Sequence, residues 1–131
     1  MIKVIIDTNL WISFLIGKRL AALRLLLLRK DVTVYICQEL LDEFRSVALR
    51  PKIMKYISIQ DVNQTIDLMT SFCQMVSIQS QAESSIRDSK DLYLLSLAET
   101  ISADYILTGD KDLLVLEHHD NTSIIPLSSF L

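Results

Sequence analysis

Two periods of hydrophobic and polar residues alternate along the chain. Short runs rich in β-branched residues, IKVII at 2–6, VTVYI at 32–36, MVSI at 75–78, DYILT at 104–108 and TSIIP at 122–126, predict five strands. Between them, apolar residues recur at helical spacing over 19–30, 38–49, 59–74 and 91–102, with a shorter pattern after Asp110. Pro51, following Arg50, predicts the end of the second helix and the start of a short separate one. The order β, α, β, α, α, β, α, β, α, β implies right-handed crossovers. It predicts a three-layer α/β/α domain around a central, mostly parallel five-stranded sheet. No repeat, linker or composition break divides the chain, so residues 1–131 read as a single domain.

Helical-wheel arithmetic separates the acids that face solvent from those that face inward. In helix 38–49 the apolar stripe is Leu40, Leu41, Phe44, Val47 and Ala48. Relative to its centre near Phe44, Asp42 lies about 160° away, Glu39 about 140° and Glu43 only about 100°, at the stripe's edge. In helix 91–102 the stripe runs through Leu94, Leu97, Ala98 and Ile101. Asp91 lies about 60° from its centre and Asp88 about 120°. The pair also fits a capping-box variant, with Asp88 as N-cap and Asp91 favoured by the helix dipole, and both readings stay open. Helix 19–30 is apolar nearly all round. That pattern fits core packing on two sides, or one side kept for a homodimer or other partner.

Asp7 and Asp110 each follow an apolar strand, so a parallel sheet brings both to its carboxyl edge, where ligand sites of open α/β sheets gather. Glu43 reaches the same edge by topology, and Asp91 does so if its helix starts there. Taken singly, a strand-end aspartate is a turn or cap residue; four on one edge are a different matter. Two carboxylates about 4 Å apart repel by about 4 kcal/mol at an effective dielectric of 20, so the group must take up protons or bind a cation. Oxygen-only ligation selects a hard divalent ion, Mg²⁺ or Mn²⁺. His118 and His119 lie past the Asp110 turn on a polar loop, outside that donor set. Such an ion beside an open crevice suits phosphate-ester hydrolysis, because it neutralises phosphate and lowers the pKa of a water.

Composition bounds the rest. With 131 residues, half of them hydrophobic, and a mean hydropathy of +0.35, the chain can bury a full core. Two glycines and two prolines argue against an all-β domain. Cys37 and Cys73 lack metal-ligand spacing and form at most one bridge, which excludes a disulfide scaffold and a structural zinc site. The apolar run LAALRLLLL at 20–28 is broken by Arg24 and falls short of the roughly 20 residues of a membrane span, and the opening MIKVIID lacks the features of a secretory signal. A cytoplasmic protein without a membrane partner is expected. The net charge of −3 weighs against nucleic acid. If Asp7, Glu43, Asp88, Asp91, Asp110 and Asp112 belong to one site, however, ten acids remain against thirteen Lys and Arg elsewhere. Lys18, Arg19, Arg45, Arg50, Lys52 and Lys55 bracket the Glu43 helix, and of these Arg45, Arg50 and Lys52 are the candidate contacts to a nucleic-acid backbone.

The opening IIDTNLWIS, the helical ELLDEF and the segment RDSKDLYLLSLAETISADYILTGDKDLL resemble the PIN domain family, in particular its bacterial single-domain, VapC-type toxins. The resemblance spans essentially the whole chain. It implies an Mg²⁺- or Mn²⁺-dependent endoribonuclease, a homodimer, and for toxins a cognate antitoxin. It places the family's acids on Asp7, Glu43, Asp91 and Asp110, with Asp112 a close neighbour that also fits the fourth position, and the supporting polar position on Thr8 or Asn9, with Ser13 one turn on. Two other readings remain. One is a PIN-fold binding protein without catalysis, and the other is phosphotransfer through an aspartyl phosphate on Asp7.

Overall fold

A computed structural model of the chain describes residues 1–79 and 92–130, the side chain of Leu20 excepted. The elements are β1 (Ile2–Ile6), α1 (Thr8–Ile16), α2 (Leu20–Leu27), β2 (Val32–Ile36), α3 (Gln38–Ala48), α4 (Pro51–Met54) and α5 (Ile59–Phe72), followed by β3 (Gln74–Met75), α6 (Leu92–Ile101), β4 (Tyr105–Leu107), α7 (Lys111–Leu114), β5 (His118–His119), β6 (Thr122–Ile125) and α8 (Leu127–Phe130). They form the three-layer α/β/α arrangement that the alternation of periods predicts. The strands make one six-stranded sheet in the order β3-β2-β1-β4-β6-β5. All neighbouring pairs are parallel except β5 with β6.

The central position of β1 organises the molecule. Its IKVII run buries Val4, Ile5 and Ile6 almost completely, as a strand covered on both faces must. The chain leaves β1 toward β2 on one side and later returns to β4 on the other, so the order of strands reverses at β1. Open α/β sheets form a ligand crevice at the carboxyl end of that switch point. Trp11, fully buried on α1, pins the junction by donating its indole N–H to the Ile6 carbonyl at 3.1 Å.

The structure departs from the sequence reading at four places. The sixth strand, β5, is two residues long and runs antiparallel, with His119 opposite Thr122. Helix α1 follows β1 after a single extended residue, Asp7, with no glycine or proline between them, and its nine residues carry only three polar side chains. No periodicity marks it off from the strand. The segment 75–78 contributes only the short edge strand β3, with the Val76 amide continuing the pairing to Ile36 at 2.9 Å. Helix α2 is buried on one side only. Leu23, Leu26 and Leu27 enter the core, whereas Leu25 is 71% and Leu28 is 60% exposed. Both cysteines are free thiols, and burial pushes Cys37 up to about 11 and Cys73 to about 12, which leaves them protonated and unreactive. No described helix is long and apolar enough to cross a membrane.

Candidate metal centre

Three carboxylates from three elements approach one another at the carboxyl edge of β1. Asp7 is fixed by its backbone on both sides. Its amide donates to the Leu107 carbonyl of β4 at 2.9 Å, and its own carbonyl accepts the Leu10 and Trp11 amides that open α1. The side chain is only 2% exposed. Its Oδ2 accepts the Thr108 hydroxyl at 2.7 Å, while that hydroxyl oxygen accepts the Asp110 amide at 3.0 Å. One threonine therefore couples the ends of neighbouring strands. Asp110 is half-buried at the N-cap of α7, where its Oδ1 takes the Asp112 amide at 2.9 Å.

Glu43 comes from α3, whose amphipathic stripe buries Leu40, Leu41, Phe44 and Ala48. Glu43 itself is half-buried at the stripe's edge, while Glu39 and Asp42 are exposed. Burial above all pushes the Asp7 carboxyl up from its ordinary value. The Thr108 hydrogen bond opposes this, the charges of Glu43 and Asp110 add to it, and the Asn9 amide opposes it weakly. Asp112 is exposed and contributes nothing resolved to Asp7. Tyr93 of α6 closes the group. Burial first, and then the adjoining Glu43 carboxylate, hold its phenol far above the ordinary value, and its oxygen lies 3.2 Å from Thr8 Oγ1.

The donor set fits a hard divalent cation. A carboxylate with 2% exposure and two acidic neighbours demands a counter-charge, and among the described residues no Lys or Arg forms an ion pair with Asp7, Glu43 or Asp110. Carboxylate and hydroxyl oxygens without nitrogen or sulfur suit Mg²⁺ or Mn²⁺. Among the described residues, the one trio of His, Cys, Asp or Glu side chains with ligand atoms all within 4.8 Å lies elsewhere. The wider spacing here suits an ion that retains part of its water shell, as Mg²⁺ does.

The remaining candidates fall as follows. Asp88 and Asp91 lie outside the described residues, before α6 begins at Leu92. Thr8 is buried against Tyr93, Asn9 is exposed, and Ser13 is exposed with its hydroxyl bonded to the Asn9 carbonyl at 2.9 Å within α1. Arg45 on α3, Arg50 at the N-cap of α4 and Lys52 within α4 are exposed. Thr108 and Tyr93 were given no role by sequence reasoning. The available signals were a hydroxyl residue two positions before Asp110 and a tyrosine two positions after Asp91.

The tighter trio is Glu99, His119 and Asp120, beside the amino ends of β4 and β6 and lining a cleft of about 620 Å³. His119 and Glu99 pair there at 2.7 Å. The histidine therefore sits on a strand at the opposite end of the sheet from Asp7, and not on a loop past the Asp110 turn.

A sequence model described as a PIN domain matches residues 3–112. The chain is 32% identical over 119 residues to an uncharacterized protein of Methanocaldococcus jannaschii, covering 88% of this chain and 75% of that one. Its fold is similar to a chain in the crystal structure of VapBC2 from Rickettsia felis bound to a DNA fragment from their promoter, with a TM-score of 0.60 at 16% identity, covering 94% of this chain and 97% of the other.

Proposed function

The chain belongs to the PIN domain family, and on that premise we propose that it is an Mg²⁺- or Mn²⁺-dependent endoribonuclease, the toxin of a toxin–antitoxin pair. The observation that carries the reading is the uncompensated buried carboxylate of Asp7, with Glu43 and Asp110 in electrostatic reach. A bound divalent ion supplies neutralisation of the phosphodiester and acidification of an attacking water. Asp7, Glu43 and Asp110 would hold it, with Asp91 proposed as a fourth ligand. Thr108 keeps the Asp7 and Asp110 ends in register, and the Asp112 amide holds the Asp110 carboxylate through Oδ1 while leaving Oδ2 outside the cap. Arg45, Arg50 and Lys52, exposed on α3 and α4, take up RNA phosphates.

Phosphotransfer through Asp7 is disfavoured, because a nucleophile needs an open line of approach. Here one carboxylate oxygen is engaged by Thr108 and the residue is buried. The Rickettsia felis relative is a VapBC2 assembly, which supports an antitoxin partner for this chain. So does an apolar groove of about 410 Å³ along α2, between Arg19 and Arg29 and floored by Phe14, Leu26 and Leu127. A homodimer and a cytoplasmic location complete the reading.

The test is cleavage of labelled RNA with Mn²⁺ or Mg²⁺, comparing the wild type with Asp7→Asn and Glu43→Gln and with chelator. Metal-dependent cleavage lost in both variants supports the nuclease. Equal cleavage by wild type and variants, or cleavage that persists in excess chelator, overturns it.

A further inference from the structure

Tyr56 is the most exposed aromatic residue of the chain, at 63%. Its backbone is nevertheless fixed, because its amide donates to the Ile53 carbonyl at 2.9 Å and the next residue, Ile57, is buried in the core. Among the described residues its ring stacks on no other ring, and its hydroxyl has no hydrogen-bond partner. The ring lines a notch of about 290 Å³ together with Leu15 and Lys18 from the end of α1 and Asp61 from the first turn of α5. Asp61 is already engaged, since its Oδ2 accepts the Ser58 amide at 2.9 Å and completes the capping box of α5. Lys18 is held in the turn that ends α1, its amide donating to the Leu15 carbonyl at 3.1 Å.

The short stretch leading into Tyr56 carries Arg50, Lys52 and Lys55, all exposed, and among the described residues neither these three nor Lys18 forms an ion pair. Unpaired cations beside an open aromatic face suit single-stranded nucleic acid: the cations meet phosphates, and the ring stacks a base of any identity. The notch lies at the small end of ligand pockets, which begin at roughly 300 Å³, so it has room for one base and none for a partner helix. Its place relative to the metal centre follows from α1. That helix has nine residues and is about 13 Å long, with Thr8 next to Asp7 at one end and Leu15 near the other. Its exposed residues Asn9, Ser13 and Ile16 fall at positions i, i+4 and i+7, a single stripe running from the metal centre toward the notch. None of them is charged, so the stripe does not repel a phosphate backbone.

We propose that Tyr56 stacks a base of single-stranded RNA a few nucleotides from the scissile phosphate, with Lys18 and Lys55 meeting the flanking phosphates, so that the notch sets how the strand lies along α1. The inference rests on the nuclease reading above and adds to it a contact to a base, where Arg45, Arg50 and Lys52 supply contacts to phosphate alone. Such a platform holds the strand equally before and during cleavage. Its loss therefore shows in KM and not in kcat.

The experiment is equilibrium binding of a short labelled single-stranded RNA in excess chelator, alongside steady-state cleavage of the same RNA with Mn²⁺, for the full-length wild type, Tyr56→Ala, Tyr56→Phe and Lys18→Gln. Tyr56→Ala is expected to weaken binding about 10-fold and to raise KM by a similar factor, with kcat within about twofold of wild type. Tyr56→Phe keeps the ring and should bind within about twofold of wild type. Both tyrosine variants should keep the wild-type salt dependence, whereas Lys18→Gln should lower the slope of log affinity against log salt by about 0.7. A series of RNAs with one abasic site each should cost the wild type about 10-fold at one position, and Tyr56→Ala should be indifferent there. If Tyr56→Ala unfolds, the abasic series on the wild type and Lys18→Gln carries the test. Wild-type affinity and KM in Tyr56→Ala overturn the inference while leaving the nuclease standing. So does a loss of equal size in Tyr56→Phe, or a changed oligomeric state of Tyr56→Ala by light scattering, which would make the face a protein contact. A wild type that cleaves no RNA with Mn²⁺ removes the nuclease reading itself.

Discussion

At the amino edge of the sheet Glu99 meets His119 at 2.7 Å with Asp120 beside them; at the carboxyl edge Asp7 faces Glu43 and Asp110 across a threonine and a tyrosine. Judged by spacing alone, the amino edge is the better cation site. Judged by charge, it is the poorer one, since its glutamate already has a histidine for a partner and its aspartate is exposed to water. The carboxyl edge has looser spacing but an aspartate at 2% exposure with no described basic partner. Compactness of ligands measures how easily an ion could fit; unmet charge in a buried place measures how strongly one is required.

The sharpest way to break this contrast is Asp7→Asn. The carboxyl-edge reading expects RNA cleavage to fall by about 10²- to 10³-fold, with thermal stability in chelator equal to or above wild type, because the asparagine oxygen still accepts from Thr108 and the repulsion is gone. Retained cleavage, or a large drop in stability, would sink it. Next in size, Asp110→Asn should cost about 10²-fold in cleavage while Asp112→Asn stays within about fivefold, since Asp112 is exposed and screened. The reverse order would move the ligand to Asp112. At the amino edge, His119→Gln should leave cleavage within about twofold and cost about 1 kcal/mol by urea unfolding, the worth of one partly buried pair. Lost cleavage there would mean the two edges are coupled.

The smallest expected effect is on pH. Because the folded chain holds the Asp7 proton more tightly than the unfolded chain does, the metal-free protein should lose stability as pH rises from the ordinary aspartate value of 3.8 through the raised folded value. Asp7→Asn should remove that component, and unfolding profiles in chelator that superimpose for the two proteins would contradict it.

Much of the fold was legible because its signals are local. IKVII and VTVYI are buried parallel strands and read as such, and the stripe of α3 marks which of its three acids turns inward. The illegible parts depend on partners far along the chain. Helix α1 has its polar residues Asn9 and Ser13 one turn apart on its exposed side, too few to signal a period, and its start is set by the Asp7 amide bonding to Leu107, a hundred residues away. Strand β5 exists only through its register with β6. At the site, the acids could be nominated from strand ends and wheel angles. Thr108 and Tyr93 could not, because a hydroxyl announces nothing until its partners from distant parts of the chain are seen beside it.

The Asp7 amide donates to Leu107 on β4, one of the two innermost strands of the sheet, with paired strands on both sides. Fraying reaches such a bond last, so its deuterium exchange should track global opening and not local breathing. Heat would then silence the molecule only when the whole sheet comes apart, and refolding of the sheet would restore the position of its most strained charge in the same event.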